Sequence, residues 1–505
     1  MANHLFDALF APLAGRGSDF LILPDGRRIS GDAFFHLVGQ MAGALRGLGL
    51  AKGDRIAVQV GKSPEGLAIY GAAVALGAVF LPLNTAYTPD EVAYFLGDAT
   101  PRVFVCDGAK AQALAAVAAQ AGARLVALNG DGTGELADLA AGASEEAAVA
   151  CGPDDLAAIL YTSGTTGRSK GAMLTQRNLL SNADVLLREW RFTGRDVLLH
   201  ALPIFHTHGL FVASNVVLLS GAAMIWLPGF EAGAVLRHLP QATVMMGVPT
   251  FYTRLLDEPG LTRDLVGHMR LFVSGSAPLL AETHVAWKAR TGHRILERYG
   301  MTETNMNTSN PYEGERRAGT VGFPLPGVDL RIMAEGREVA PEEVGMIEVR
   351  GPNVFAGYWQ MPEKTREELR ADGWFITGDL GKRDADGYVH IVGRAKDLVI
   401  TGGYNVYPKE VELLLDEVPG VAESAVIGVP HPDFGEAVFA VLVPQKGAAL
   451  DAGQALAAIS DRLARFKQPK AAVVVESLPR NTMGKVQKNL LREAYKGWFV
   501  SGGEI

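Results

Sequence analysis

Cysteine is nearly absent from this sequence: Cys106 and Cys151 are the only two in 505 residues, and their spacing is neither disulfide-like nor metal-like. A disulfide framework and a cysteine-ligated zinc site are excluded on that count, and two ordinary thiols in a reducing compartment are expected. No long basic run occurs, and the formal charge of −8 has the wrong sign for a nucleic-acid binder. The opening residues MANHLFD lack the charged and apolar regions of a secretory signal, so a cytoplasmic location is expected. One uncharged stretch, GLAIYGAAVALGAVFLPL at 66–83, reaches the lower length limit of a membrane span. It holds three glycines and a proline and changes character halfway. We read it as an alanine-rich helix feeding a buried strand, so no membrane partner is expected.

What is present points to a folded, multidomain chain. Hydrophobic residues make up 48% and charged residues 20%, which excludes a disordered protein, and the length calls for two to four domains. Short apolar runs at 54–60, 78–81, 102–106 and 124–128 alternate with helix candidates near 66–76, after Thr88-Pro-Asp-Glu91 and at 109–121. That alternation is the signature of an α/β fold with parallel sheets. Runs at 242–246 and 269–273 suggest a second sheet. Beyond about Asp329 the texture becomes β-rich with many turns, and the last hundred residues alternate again, with helices expected at 408–416 and 453–466. A domain boundary is expected near 393–397.

The run YTSGTTGRSKG at 161–171 packs three glycines, five serine or threonine hydroxyls and a lysine behind the apolar strand 156–160. Glycine, serine and threonine after a strand let backbone N–H groups and hydroxyls converge on an anion, and Lys170 adds charge. Phosphate binding is the natural reading, although the Walker pattern is not met: Lys170 precedes Gly171 rather than Ser or Thr.

Together with four other segments, this loop resembles the adenylate-forming enzymes, the family of acyl-CoA synthetases, luciferases and peptide-synthetase adenylation domains. Thr162–Gly171 is similar to the family's phosphate loop, Ser274-Gly-Ser-Ala-Pro278 to its adenine-bordering segment, and Tyr299-Gly-Met-Thr-Glu303 to its aromatic-Gly-x-Thr-Glu motif. Trp374-Phe-Ile-Thr-Gly-Asp379 with Gly393-Arg394 resembles the ribose-binding pair, and Pro479-Arg-Asn-Thr-Met-Gly-Lys485 resembles the catalytic-lysine motif. The resemblance covers nearly the whole chain, with the motifs in the family's order. It implies an α/β fold with a large N-terminal domain, 1–395, made of two α/β-layered subdomains and a small β-barrel-like one. A small mobile α+β C-terminal domain, 396–505, follows.

The family transfers AMP from ATP to a carboxylate and then replaces AMP with the thiol of CoA. The resemblance implies that Thr162, Ser163, Gly164, Thr165, Thr166, Gly167 and Lys170 hold the phosphates, and that Glu303 holds Mg²⁺, a hard cation suited to oxygen ligands. Thr302 would donate to the α-phosphate. Ser276, Ala277, Pro278, Tyr299, Gly300 and Met301 would border the nucleotide, and Asp379 and Arg394 its ribose. Lys485 would supply the cation of the adenylation step; Lys488, three residues on, is the rival if the segment is helical. The hinge between the two half-reactions would be Lys396, and Gly402 and Gly403 would line the thiol route. The resemblance also implies that Lys485 is a possible target of a lysine acetyltransferase and deacetylase. The sequence is silent on oligomeric state.

Two positions depart from the commonest pattern: Ser169 stands where proline usually precedes the lysine, and Gln176 where histidine often stands. The acid is suggested by Arg298, directly before the Tyr299 motif. In a fatty-acid tunnel it would be an unpaired buried charge, whereas a second carboxylate would pair with it bidentately. The segments 296–304 and 306–311 resemble those of malonyl-CoA synthetases. Malonate is therefore the expected acid and methylmalonate a tolerated second, unless Arg298 pairs with Glu297 or Glu303. His206, Thr207, Met306 and Ser274 are the remaining expected pocket residues.

Overall fold

The computed structural model describes residues 2–162, 169–401, 404–481 and 484–499. They form two compact units: Met1–Asp329 with Val349–Phe375, and Leu330–Glu348 with Ile376–Ile505. By packing, residues 376–395 therefore group with the C-terminal residues.

The first unit contains two sheets. One runs Arg124–Ala127, Val103–Cys106, Arg55–Gln59, Val79–Pro82, Leu156–Thr162, Lys170–Thr175, parallel except for its last pairing. Its inner strands read as continuous apolar runs because helices cover both faces of a parallel sheet. The other has nine strands, with Leu296–Met301, Leu271–Ser274, Val244–Gly247, Val197–His200 and Ala223–Trp226 parallel at its centre and antiparallel strands at both edges. The membrane-like stretch resolves as expected: helix Pro64–Leu76 is buried on nearly every side, capped by Ser63, and feeds strand Val79–Pro82. No described helix is long and apolar enough to cross a membrane.

The second unit holds most of a five-stranded sheet ordered Arg337–Glu338, Asp329–Ala334, Gly345–Arg350, Phe375–Arg383, Val389–Arg394. A further sheet joins Tyr404–Val406, Val399–Thr401, Gly435–Pro444 and Val421–His431, with Ala471–Val474 pairing on Gly435–Pro444. Helix Pro408–Asp416 matches its expected range. The helix expected at 453–466 is shorter: its α-helical part is Ala452–Ile459, and a tight turn at Ser460–Arg462 ends it.

Asp416, the last residue of its helix, is buried, with its Oδ1 accepting from Ser424 Oγ at 2.7 Å. Burial pushes its carboxyl up to about 6. Because this exceeds the unfolded value of about 3.9, the folded state favours the protonated form. The group's contribution is full below about pH 4 and is lost as pH rises through the folded value. Asp416→Asn is expected to stabilise the protein by about 3 kcal/mol at pH 8 and by less than about 1 kcal/mol at pH 4. Urea melts at the two pH values check this; an equal gain at both contradicts it.

Candidate active site

Strand Leu156–Thr162, which precedes the glycine-rich run, pairs antiparallel with strand Lys170–Thr175, which follows it, with Thr162 opposite Lys170. Ser163, Gly164, Thr165, Thr166 and Gly167 lie outside the described residues, as do Gly402 and Gly403. Lys170 is well held: its Nζ donates to both oxygens of Glu368, at 3.0 and 3.1 Å, and lies 4.1 Å from the centre of the Tyr358 ring. The Tyr358 hydroxyl is 3.0 Å from Glu303 Oε1 and 2.5 Å from Glu368 Oε2. Burial and the two carboxylates raise the phenol's pKa and keep it protonated. Burial alone would raise that of Glu368, but hydrogen bonds from Tyr358, Lys364 and Lys170 outweigh it and leave the carboxyl below its ordinary value. Tyr358 and Glu368 were not singled out from the sequence. They join the expected phosphate lysine to the expected metal ligand.

Of the two departures from the family pattern, Ser169 makes only a backbone contact, whereas Gln176 acts through its side chain. Ser169 O accepts from Tyr94 Oη at 2.7 Å. Gln176 is buried and its Oε1 accepts from Leu5 N at 2.8 Å, tying the N-terminal segment to helix Gln176–Glu189.

Hairpin Leu296–Met301 and Asn305–Ser309 carries two of the five expected acyl-side residues, Arg298 and Met306, and its turn holds Thr302 and Glu303. Tyr299 and Gly300 stand opposite Thr308 and Met306, and Met301 opposite Asn305. Adjacent strand residues face opposite sides. Glu297 accordingly accepts from Leu279 N through Oε1, at 3.2 Å. Arg298 instead lies against Gly275, where a Cβ would stand 2.3 Å from its Cζ, so any larger residue at 275 would displace the guanidinium. Arg298 is 3% exposed. Among the described residues it forms no ion pair with Glu297 or Glu303, and its Nε and Nη2 have no hydrogen-bond partner. Burial pulls its pKa down to about 9, only partly offset by Tyr252 and Glu297, so it remains charged at neutral pH.

The same region gathers the other expected pocket residues. Ser274 is fully buried, and its Oγ has no partner among the described residues. Ser276, with a left-handed φ of +73°, leads through Ala277 and Pro278 toward helix Ala281–Thr291. Thr207 donates to Asn305 Oδ1 at 2.6 Å. Met306 is buried, its backbone N and O both bound by the Asn182 amide at 3.2 and 2.9 Å. His206 Nδ1 accepts from His208 N at 3.2 Å.

His208, not His206, is the fully buried histidine. Its Nδ1 is 3.2 Å from Ser276 Oγ, and its Nε2 has no partner among the described residues. Burial, then the charge of Arg298 and the neighbouring His206 and His200, lowers its pKa well below the ordinary value, so the ring is neutral. The sequence carried a signal for it in His206-Thr-His208, but the motif position drew attention to the first histidine.

In the second unit, Asp379 and Arg394 are cross-strand partners, with Arg394 Nε 2.7 Å from Asp379 Oδ1. Asp379 N also donates to Thr377 Oγ1 at 3.0 Å. Lys485 sits at the end of a turn closed by Asn481: Lys485 N donates to Asn481 Oδ1 at 3.0 Å, and Asn481 N donates to Lys485 O at 2.9 Å. Lys488 begins helix Lys488–Tyr495, so Lys485 does not share a helical face with it. Its Nζ is 2.5 Å from the buried Glu412 Oε1, an ion pair within this unit. Lys396 lies in the turn Ala395–Asp397, and burial pulls its pKa down to about 8.

The family described as AMP-binding enzyme matches residues 13–359, and the AMP-binding enzyme C-terminal domain matches residues 410–485. The malonate–CoA ligase of Arabidopsis thaliana is 35% identical over 500 residues, covering 90% of this chain and 80% of its own. A feruloyl-CoA synthase of an Amycolatopsis species is 37% identical over 463 residues, covering 91% of this chain and 92% of its own. The crystal structure of ATP-bound MatB from Rhodopseudomonas palustris superposes with a TM-score of 0.97 at 58% identity, covering 99% of this chain and 100% of that one.

Proposed function

Because the chain belongs to the AMP-binding enzyme family, we propose that it is an ATP-dependent acid–thiol ligase that converts malonate to malonyl-CoA and accepts methylmalonate less well. One malonate carboxylate oxygen attacks the α-phosphorus of ATP, and the bond to the β,γ-phosphates breaks, releasing pyrophosphate and leaving malonyl-AMP. The CoA thiolate then attacks the acyl carbon and AMP departs.

The observation that carries the choice of acid is Arg298, a buried guanidinium with two partnerless N–H-bearing nitrogens among the described residues. A second carboxylate supplies the missing charge and acceptors together. His208 Nε2 and Ser274 Oγ, buried and likewise without partners there, are available to the same group. A monocarboxylic acid would leave all three unmatched, which is the kind of mismatch that discriminates by about 10⁴-fold. A methyl branch on malonate meets Met306 and Thr207 instead and costs only about 1–3 kcal/mol.

The remaining roles follow from the atoms available. Thr162, the glycine-rich loop and Lys170 take the β,γ-phosphates, with Lys170 exchanging Glu368 for phosphate oxygens. Glu303 is a buried carboxylate that fits Mg²⁺, and since no cluster of three or more His, Cys, Asp or Glu suited to a metal occurs among the described residues, phosphate and water would complete the shell. The ion would neutralise phosphate charge. Thr302 donates to the α-phosphate, Ser276–Pro278 and Tyr299–Met301 border the adenine, and Asp379 with Arg394 holds the ribose hydroxyls. Lys485 stabilises the charge that develops between carboxylate and α-phosphate. Residues 396–505 act as the mobile part, turning at Lys396, withdrawing Lys485 and bringing Gly402 and Gly403 to the thiol route. Acetylation of Lys485 would remove that charge and stop the first step.

The test is pyrophosphate release with MgATP and CoA, comparing malonate, methylmalonate, acetate and a medium-chain acid. Malonate is expected to be fastest, then methylmalonate, with acetate near background. A best rate with the medium-chain acid would overturn the choice of acid and leave the adenylation chemistry standing.

A further inference from the structure

A second enclosed cation, the half-buried Lys62, stands behind the turn that follows Thr207 and His208. It follows strand Arg55–Gln59 of the six-stranded sheet, yet its Nζ lies 2.7 Å from both Nδ1 and the backbone O of His200, at the end of strand Val197–His200 in the nine-stranded sheet. It also sits 4.2 Å from the centre of the Trp226 ring. No carboxylate pairs with it among the described residues, and burial lowers its pKa well below the ordinary lysine value. The charge-pairing role that explains most enclosed lysines is therefore missing.

The histidine between them has its tautomer set from both sides. His200 Nε2 is 2.8 Å from Gly209 O, which can only accept, so Nε2 carries the hydrogen and Nδ1 accepts from Lys62. Gly209 O receives a second hydrogen bond from Ser214 Oγ at 2.9 Å. Gly209 is in the first turn of the π-helix His208–Ser214, directly after Thr207 and His208. It is pressed so closely against Pro203 O that a Cβ there would stand 2.0 Å away. Pi-helical turns are uncommon, concentrate at functional sites, and leave carbonyls that need outside donors.

We propose that Lys62 is a positioning residue for acid recognition: bridging the two sheets, it fixes His200, and His200 fixes the turn that presents Thr207 and His208 to the substrate acid. Lys62 acts through His200, not as a ligand for acid or nucleotide. This rests on the reading of Thr207 and His208 as pocket residues. A displacement of about 1 Å in such a wall can cost on the order of 10²-fold, so a lost anchor acts on the acid and leaves the nucleotide alone.

The test is Lys62→Met, which keeps the length of the side chain and removes its donors. The KM for malonate is expected to rise by on the order of tenfold, with the KM for ATP unchanged and amide hydrogen exchange faster across 207–214. An unchanged malonate KM in the folded variant overturns the proposal, as does a parallel rise in both KM values. If Lys62→Met does not fold, Ser214→Ala removes the other donor to Gly209 O and is expected to shift the malonate KM in the same direction by a smaller factor. No shift there also overturns it. Should the wild-type protein prefer another acid, the choice of malonate fails by itself. The same comparison is then made with that acid, because the anchor acts on the wall and not on the ligand's charge.

Discussion

Arg298→Met is expected to lower kcat/KM for malonate by about 10³-fold, roughly 4 kcal/mol, while acetate changes by less than about tenfold. The loss has two parts: the bidentate contact disappears, and the second carboxylate is left buried opposite a thioether. The same substitution is expected to make the ligand-free protein more stable by about 1–3 kcal/mol. In the absence of substrate this guanidinium is buried, with its Nε and Nη2 unpartnered among the described residues. A residue kept for packing would lose stability on substitution; a residue kept for a ligand gains it while activity falls. Thermal melts with and without malonate, alongside the kinetics, read both effects. A variant that loses stability and activity in proportion would assign Arg298 a structural role.

Lys485→Ala is expected to lower the adenylation rate by on the order of 10²–10³-fold, the usual loss when one positioned charge-stabilising donor is removed from a transition state. Conversion of chemically prepared malonyl-AMP and CoA into malonyl-CoA should stay within a few-fold of wild type, because that step forms no bond to the α-phosphate. Lys488→Ala provides the contrast. Its ion pair with the buried Glu412 predicts lost stability of the second unit and nearly unchanged adenylation in the folded fraction. Equal losses in both half-reactions for Lys485→Ala would contradict the division of labour proposed for the two steps.

How far the sequence was legible depended on the range of the interactions. Strands Val103–Cys106 and Val244–Gly247 could be read because a parallel sheet buries both faces and writes an unbroken apolar run. The phosphate loop and the Asp379 and Arg394 segments could be read because close backbone approach and ligand contact restrict which residues fit. The pairings that complete the site could not. Lys170 meets Glu368 across 198 residues and Lys62 meets His200 across 138, separations that leave no local period. His208 went unmarked for a different reason. A histidine's burial, and the absence of a partner for one of its ring nitrogens, follow from tertiary packing alone. The helix expected at 453–466 was drawn too long because its alanine-rich pattern carries past Ile459, where the chain tightens at Ser460–Arg462.

If a buried guanidinium without its charge partner selects a second carboxylate, malonate must outcompete acetate in a mixture. The most direct test supplies malonate and acetate together, at equal concentration with limiting MgATP and CoA, and measures the two acyl-CoA products by mass spectrometry. The ratio gives the relative kcat/KM without separate rate curves. Malonyl-CoA is expected in excess by on the order of 10⁴-fold. A ratio near one, or an excess of acetyl-CoA, would contradict it.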